Sequence, residues 1–487
     1  MQKRTTVWLG IGLVFCVNLA VLALQLFSHD NLVDGDGMFH MRMAALYRER
    51  GLFTTFPWME CSITREGWVD HQFLFHVLLI PFTFIGGVNA ERWAGAFFGA
   101  VALTSVYAYL AAHAVRRAWI YSLVLLGAGD YFLFRMISPR AMPLALTLLV
   151  ASIWLLERQR YRSLVVVTFF FTWAYQVAAL VPLVACFFVL DRRRATKRWD
   201  LRPVLYATAG FALGMAINPF SPRTFEYLFF HIVPYFQNDI LARTADAAMR
   251  GGAEWQPFPI ATLAERCYPA LVMGVVAPLA LLRRRAEWPS DLLPLGLTTL
   301  LLVVLSLRSA RSVEYAVPFA VLLGARIVAV VPPRARWESW LRGALLASFL
   351  GAGIHYHVTL YRNGFNLEHD RYRGAADWLA GHTPADSTVF HCAWGDFVQL
   401  FYFNVHNHYI YGLDPYFFYY WNPGLYLKYQ SIVSGSDPDP VASIVDSFAS
   451  HYVLLRPEDA ALGKKLLRDP RVTRVYGDAT TMVVKLP

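Results

Sequence analysis

Of the 487 residues, 56% are hydrophobic and only 16% are charged. Soluble globular chains average ~25% charged, so a water-soluble domain as the whole molecule is excluded and lipid is implied. The formal net charge of +10 sits in clusters between apolar stretches (Arg192-Arg193-Arg194, Arg283-Arg284-Arg285, Arg334 to Arg342), which reads as membrane topology rather than nucleic-acid affinity.

The chain opens with Lys3 and Arg4 ahead of an apolar run over 6–27. That run exceeds the ~7–15-residue apolar core of a secretory signal and has no small-residue cleavage site, so it predicts a retained first span. The positive-inside rule then places the N-terminus in the cytoplasm. Further apolar stretches lie at 71–88, 92–115, 118–134, 141–156, 162–190, 203–217, 262–282, 291–307, 314–331 and 340–360. The stretch 162–190 is too long for one upright helix and carries Gln176 at its centre, so it divides into a hairpin. The expected fold is a polytopic α-helical membrane protein of about 11–13 spans. Counting outward from the basic loop at 191–202 puts 218–261, 308–311 and everything after Tyr361 outside. An inside N-terminus and an outside C-terminus need an odd number of crossings, so one stretch within 70–140 is miscounted.

From Leu367 the texture changes. Helical patterns at 370–381, after Trp394 and near 439–449 alternate with strand-like STVFHC, YIYG, HYVLLR, VTRVYG and TMVVKL. This predicts a C-terminal extracytoplasmic α/β domain over 367–487, following a membrane domain over 1–366 with outer loops 28–70 and 218–261. The five cysteines lack metal-ligand spacing, and the dinucleotide fingerprint is absent, so neither a zinc site nor a nucleotide domain is implied.

Polar residues gather at span boundaries on the outer side. The first loop holds Asp30, Asp34, Asp36, His40 and Arg42, and closes with Glu66, Asp70, His71 and His76. Glu254 precedes one later span, Arg308, Arg311 and Glu314 open another, Arg135 lies just before SPRAMP (138–143) and Arg140 within it. Carboxylates deprotonate a hydroxyl or hold a divalent metal, and guanidinium forks bind phosphate oxygens. The bland alternatives are a solvated acidic loop and interfacial anchoring of the arginines.

This pattern resembles the GT-C integral-membrane glycosyltransferases. DGDGMFHMR (34–42) stands in the place of their first-loop acidic motif, and DHQFLFHVLLIPF (70–82) is similar to the start of the second span in bacterial members. PADSTVFHCAWGDFVQLFYFN (384–404) resembles the part of oligosaccharyltransferase catalytic subunits where a strand leads into WWDYG, but one tryptophan is missing and the order of Gly395 and Asp396 differs. The resemblance therefore does not extend to peptide N-glycosylation.

It implies sugar transfer from a polyprenyl-phosphate or polyprenyl-diphosphate carrier to a lipid, glycan or protein acceptor, at the outer face of a bacterial inner membrane. Asp36 would be the catalytic carboxylate with Asp34 its neighbour, and Glu254 would approach the acceptor. Arg308 or Arg311, with Arg140, would bind the carrier phosphate, while Trp394 and Asp396 would meet the acceptor. Asp70 is the reserve base. A divalent metal, Mg²⁺ or Mn²⁺, would rest on Asp36, Asp70 and His71, although Asp130 is the only acidic residue between Arg117 and Arg140 and the family's second acidic pair has no counterpart. A lipid-linked sugar transporter or flippase, or a non-catalytic envelope assembly subunit, is the competing reading.

Overall fold

The computed structural model describes residues 2–229, 253–267, 272–276, 292–331, 335–365 and 367–487, with the single positions 233, 278 and 333. The chain is a polytopic helical membrane protein with a C-terminal domain, and it divides into two compact units. The first comprises Met1–Val33, His71–Val233 and Ala253–Asn366; the second comprises Asp34–Asp70, Pro234–Gly252 and Leu367–Pro487, of which 234–252 lie outside the described residues.

In the first unit, four described helices are long and apolar enough to cross a membrane: Val7–Leu26, Gly87–Ala112, Ala310–Val330 and Arg336–Asn363. Other apolar stretches run as shorter helices, Met142–Glu157, Tyr161–Ala174 and Leu292–Ser306, and most of 268–291 lies outside the described residues. The 162–190 stretch breaks at Tyr175 as its length demanded, with Leu180–Thr196 returning. The 118–134 stretch is not straight either: Trp119–Leu126 and Asp130–Ile137 meet at 100°. Gly129 supplies that corner with a φ of 138°, a conformation side chains with a Cβ avoid.

The 71–88 stretch becomes a seven-residue helix, Phe73–Leu79, and a five-residue 3-10 turn, Ile80–Phe84. Together they reach roughly 20 Å, short of the ~30 Å hydrocarbon core.

Close packing joins these helices. Gly95 and Gly99 sit one turn apart on Gly87–Ala112, where a Cβ at Gly99 would fall 2.7 Å from the Met136 carbonyl oxygen, so only small residues let Asp130–Ile137 approach. Asn18 Nδ2 donates to Thr104 Oγ1 (3.2 Å) and Ser122 Oγ (3.0 Å), a buried polar link among three helices.

The second unit is built on a five-stranded sheet in the order β2-β1-β3-β5-β4, where β1 is Thr388–Phe390, β2 His408–Tyr409, β3 Tyr452–Leu455, β4 Thr473–Gly477 and β5 Met482–Lys485. β1 runs parallel to β2 and β3, with Val389 opposite Tyr452, and β5 runs antiparallel to both β3 and β4. STVFHC, HYVLLR, VTRVYG and TMVVKL each hold a strand as anticipated, whereas of YIYG (409–412) only Tyr409 lies in β2. Three helices were not anticipated, Pro415–Trp421, Pro423–Val433 and Ala460–Leu466. The first two each begin with proline at the first position behind a capping side chain: Asp414 accepts from Tyr416 N and Asn422 from Leu425 N, both at 2.9 Å. The Asp-Pro and Asn-Pro dipeptides were the missed signal.

Asp34–Asp70, read from the sequence as a loop of the membrane domain, is instead part of this unit. Tyr409 N donates to Trp58 O (3.0 Å), while Glu60 N and Cys61 N donate to Tyr409 O and Ile410 O (2.9 and 2.8 Å), which extends the sheet beyond β2. Phe39, Phe56, Trp68, Phe397 and Phe401 pack together beneath, with Phe56 stacked on Trp68 at 4.4 Å. Burying that aromatic area drives the association.

Candidate active site

Arg135 is the central group of the first unit. It lies on the Asp130–Ile137 helix, fully buried, and its Nε donates to Glu314 Oε2 at 2.8 Å, where both side chains are 1% exposed. Its Nη1 pairs with Glu254 Oε2. Arg140 Nη1 reaches the same oxygen at 3.2 Å, and Arg311 Nη1 reaches Glu254 Oε1 at 3.3 Å.

Short local structures deliver these groups. Glu254 sits in the 3-10 turn Ala253–Trp255 and Arg311 in the 3-10 turn Ala310–Ser312 that opens the helix carrying Glu314. The two turns are tied by Ala310 N donating to Gln256 O (3.0 Å) and Ser309 Oγ to Glu254 O (3.3 Å), and the Arg311 guanidinium lies 4.5 Å from the Trp255 ring centroid. Burial pushes the Glu254 carboxyl up, but Arg311, Arg135 and Arg140 outweigh it and hold the group well below the usual carboxylate range.

Among the described residues, Arg135 Nη2 and Arg311 Nε are buried without a hydrogen-bond partner. Buried bare donors are costly, so such a site favours an anion. An apolar cavity of about 320 Å³ lies in the same unit, lined by Gly296, Leu300 and Val303 on one helix and by Val313, Val317 and Ala320 on the helix that carries Glu314.

In the second unit, Asp36 is the first residue of the helix Asp36–Arg50, and its backbone N donates to Asp34 Oδ1 at 3.3 Å. Both carboxylates are half-buried. Arg42, one face further on, donates from Nε to Tyr402 O at 2.7 Å and fixes the helix to Asp396–Phe403. Asp70 is 2% exposed and accepts from the Tyr47 hydroxyl at 2.7 Å, so it fastens the end of the segment to the helix that Asp36 begins. Burial and the Asp70 charge push the Tyr47 phenol far up, which keeps it a donor.

Asp396 is likewise interior, accepting from Tyr372 OH (2.7 Å) and Arg456 Nη1 (2.9 Å). Burial pushes its carboxyl up to about 6, against the pull of Arg456.

No family model and no curated protein matches the sequence. Among solved structures, the apo oligosaccharyltransferase of Archaeoglobus fulgidus is similar at a TM-score of 0.64 and 12% identity, over 92% of this chain and 69% of that one. The A. fulgidus oligosaccharyltransferase AglB with an inhibitory peptide and a dolichol-phosphate gives 0.62 at 12% identity over the same shares. Apo ArnT from Cupriavidus metallidurans gives 0.60 at 14% identity, over 99% of this chain and 98% of that one.

The chain shares the fold of these structures. Within it, Glu254, Arg140 and Arg311 converge as one site, while Arg308 is exposed and stays outside that cluster. Glu254 is held by guanidiniums and is in this state no base. Asp34 and Asp36 are neighbours in the second unit, and Asp34 acts on the Asp36 backbone.

Asp70 is committed to Tyr47, and Asp396 is committed to Tyr372 and Arg456, so it serves the domain interior rather than an acceptor. Trp394 is half-buried against the C-terminal core. His71 stacks on Tyr227 at 5.2 Å. Among the described residues, no three His, Cys, Asp or Glu side chains gather as metal ligands. Arg135 and Glu314 were missing from the expected site. Their signal was a charge inside an otherwise apolar helical run, which is rare unless functional or paired.

Proposed function

We propose that this chain is a membrane glycosyltransferase that moves a sugar from a polyprenyl-phosphate or polyprenyl-diphosphate carrier to an acceptor at the outer face of a bacterial inner membrane. The observation that carries the reading is a cluster of three arginines in which two buried nitrogens, Arg135 Nη2 and Arg311 Nε, have no hydrogen-bond partner among the described residues, in a unit that also holds an apolar cavity. A lipid phosphate pairs an anionic head with an apolar tail. AglB, a protein of this fold, is solved with dolichol-phosphate.

In the proposed reaction, the acceptor hydroxyl oxygen forms a bond to the sugar's anomeric carbon and the carbon–oxygen bond to the carrier phosphate breaks. A carboxylate takes the hydroxyl proton, the role that the first-loop acidic motif gives to Asp36. The bonding electron pair leaves with the phosphate, whose growing charge Arg135, Arg140 and Arg311 stabilise. Asp34 holds the Asp36 backbone in place, and the C-terminal domain selects the acceptor.

The test is release of sugar from a radiolabelled panel of polyprenyl-phosphate and polyprenyl-diphosphate sugars. Wild type consumes one donor, and Asp36→Asn slows turnover by about 10²–10⁴-fold, the usual loss on removing a general base. Near-normal turnover of Asp36→Asn at equal protein level removes Asp36 from the mechanism, and a panel silent for the wild type favours the transporter reading.

A further inference from the structure

The three guanidiniums assigned to the carrier phosphate already hold an anion. Glu254 receives Arg135 Nη1, Arg140 Nη1 and Arg311 Nη1 on its two oxygens. The cluster's other carboxylate, Glu314, has one cation partner and lies 1% exposed on an 18-residue helix. Glu254 is different on both counts: its side chain is 23% exposed, and it rides on a three-residue turn.

We infer that Glu254 is the resident counter-ion of the carrier-phosphate site, and that the carrier binds by anion exchange, its phosphate taking the three guanidiniums as Glu254 leaves them. This rests on the carrier-phosphate reading above and adds how that site is filled and emptied.

Three physical arguments support the exchange. Without a resident anion, Arg135 would keep Glu314 alone and Arg311 would lose its carboxylate partner among the described residues, and uncompensated buried charge is strongly destabilising. An empty site therefore needs Glu254 to stay folded. A carboxylate offers two oxygens and a phosphate monoester three, so the phosphate satisfies donors that Glu254 leaves bare, Arg135 Nη2 and Arg311 Nε. The exchange is then downhill for the arginines. Finally, the turn that carries Glu254 is joined to the Ser309–Arg311 turn by the Ala310–Gln256 and Ser309–Glu254 hydrogen bonds and by Trp255 beneath Arg311, a small set of contacts to remodel.

Two consequences follow for turnover. Glu254 competes with the incoming donor, and the same carboxylate returning to the arginines helps expel the spent carrier phosphate. Replacing it by a neutral amide should tighten carrier binding and slow product release together.

The experiment measures binding of farnesyl phosphate to the purified full-length chain in detergent, for wild type, Glu254→Gln, Glu254→Asp and Arg311→Ala. Losing charge-assisted hydrogen bonds that the ligand must displace predicts at least about tenfold tighter binding in Glu254→Gln. Glu254→Asp, too short to reach all three guanidiniums, should fall between Gln and wild type, and it serves alone if the Gln protein does not fold. Arg311→Ala should bind weakly. Equal or weaker binding by both Glu254 variants, with Arg311→Ala still impaired, overturns the exchange and leaves the phosphate site standing. If Arg311→Ala binds as wild type does, or no form binds, the phosphate-site reading fails and takes the exchange with it.

Discussion

Replacing Arg135 by methionine should cost more stability than any surface change in this protein, and a second substitution should give most of it back. Arg135 is fully buried and is the only cation within salt-bridge distance of Glu314 among the described residues. Glu254, its other partner, keeps Arg140 and Arg311. The loss therefore falls on Glu314, left as an unpaired charge at 1% exposure. Breaking a buried ion pair from one side typically costs about 3–5 kcal/mol, whereas replacing both partners by apolar groups is often neutral or stabilising. Glu314 Oε1 already lacks a hydrogen-bond partner, so leucine there forfeits nothing on that side. Arg135→Met should lower the apparent unfolding midpoint in detergent by several degrees at a fixed scan rate, and Arg135→Met/Glu314→Leu should recover most of the fall while still failing to bind farnesyl phosphate. An Arg135→Met protein that melts with the wild type, or a double variant that melts no higher than the single one, would refute the claim that charge pairing rather than packing sets the cost.

Gly99→Val should reduce both yield and carrier binding, because its side chain would press on the Met136 carbonyl and displace the helix that carries Arg135; normal binding by the folded fraction would show that the close approach does not position the site. Asn18→Leu should cost only about 0.6–2 kcal/mol, the range for interhelical polar links in membranes, with sugar transfer unaffected when measured on the same preparation. In the C-terminal domain, burial pushes the His391 imidazole down to about 4 and the Asp396 carboxyl up to about 6. A depressed histidine loses stability as pH falls from its unfolded value near 6.5 through its folded one, and a raised carboxyl loses stability as pH rises from near 3.9 through its folded one, so the two slopes oppose each other between about 4 and 6. His391→Gln should unmask the carboxyl, making the domain more resistant to protease at pH 4.5 than at pH 7 relative to wild type; an unchanged ratio counts against it.

The helices and strands were readable where composition and period speak directly. Apolar runs near span length and the alternating VTRVYG and TMVVKL segments declare their structure through burial alone. The 71–88 stretch misled because hydropathy counts apolar residues, not helical rise, and cannot see a 3-10 turn at Ile80–Phe84. The helices after Asp414 and Asn422 were hidden because aromatic runs such as PYFFYYW carry no clear period.

The site divides in the same way. Part of the cluster was legible in the sequence by residue type: Glu254, Arg140 and Arg311 stood out as charges at the ends of apolar runs, and the DGD motif as an acidic group in the first outer loop. Charges are conspicuous in a membrane protein because their burial is expensive. Their partners were decided by tertiary structure. Only folding brings Arg135 against Glu254 and Glu314, which lie 119 and 179 positions away in sequence. It likewise turns Asp70 and Asp396 inward, to Tyr47 and to Tyr372 and Arg456. It also moves Asp34–Asp70 into the C-terminal unit, because that segment's aromatic residues find their burial there. A charge announces its cost in one dimension, but the counter-charge that offsets it is chosen in three.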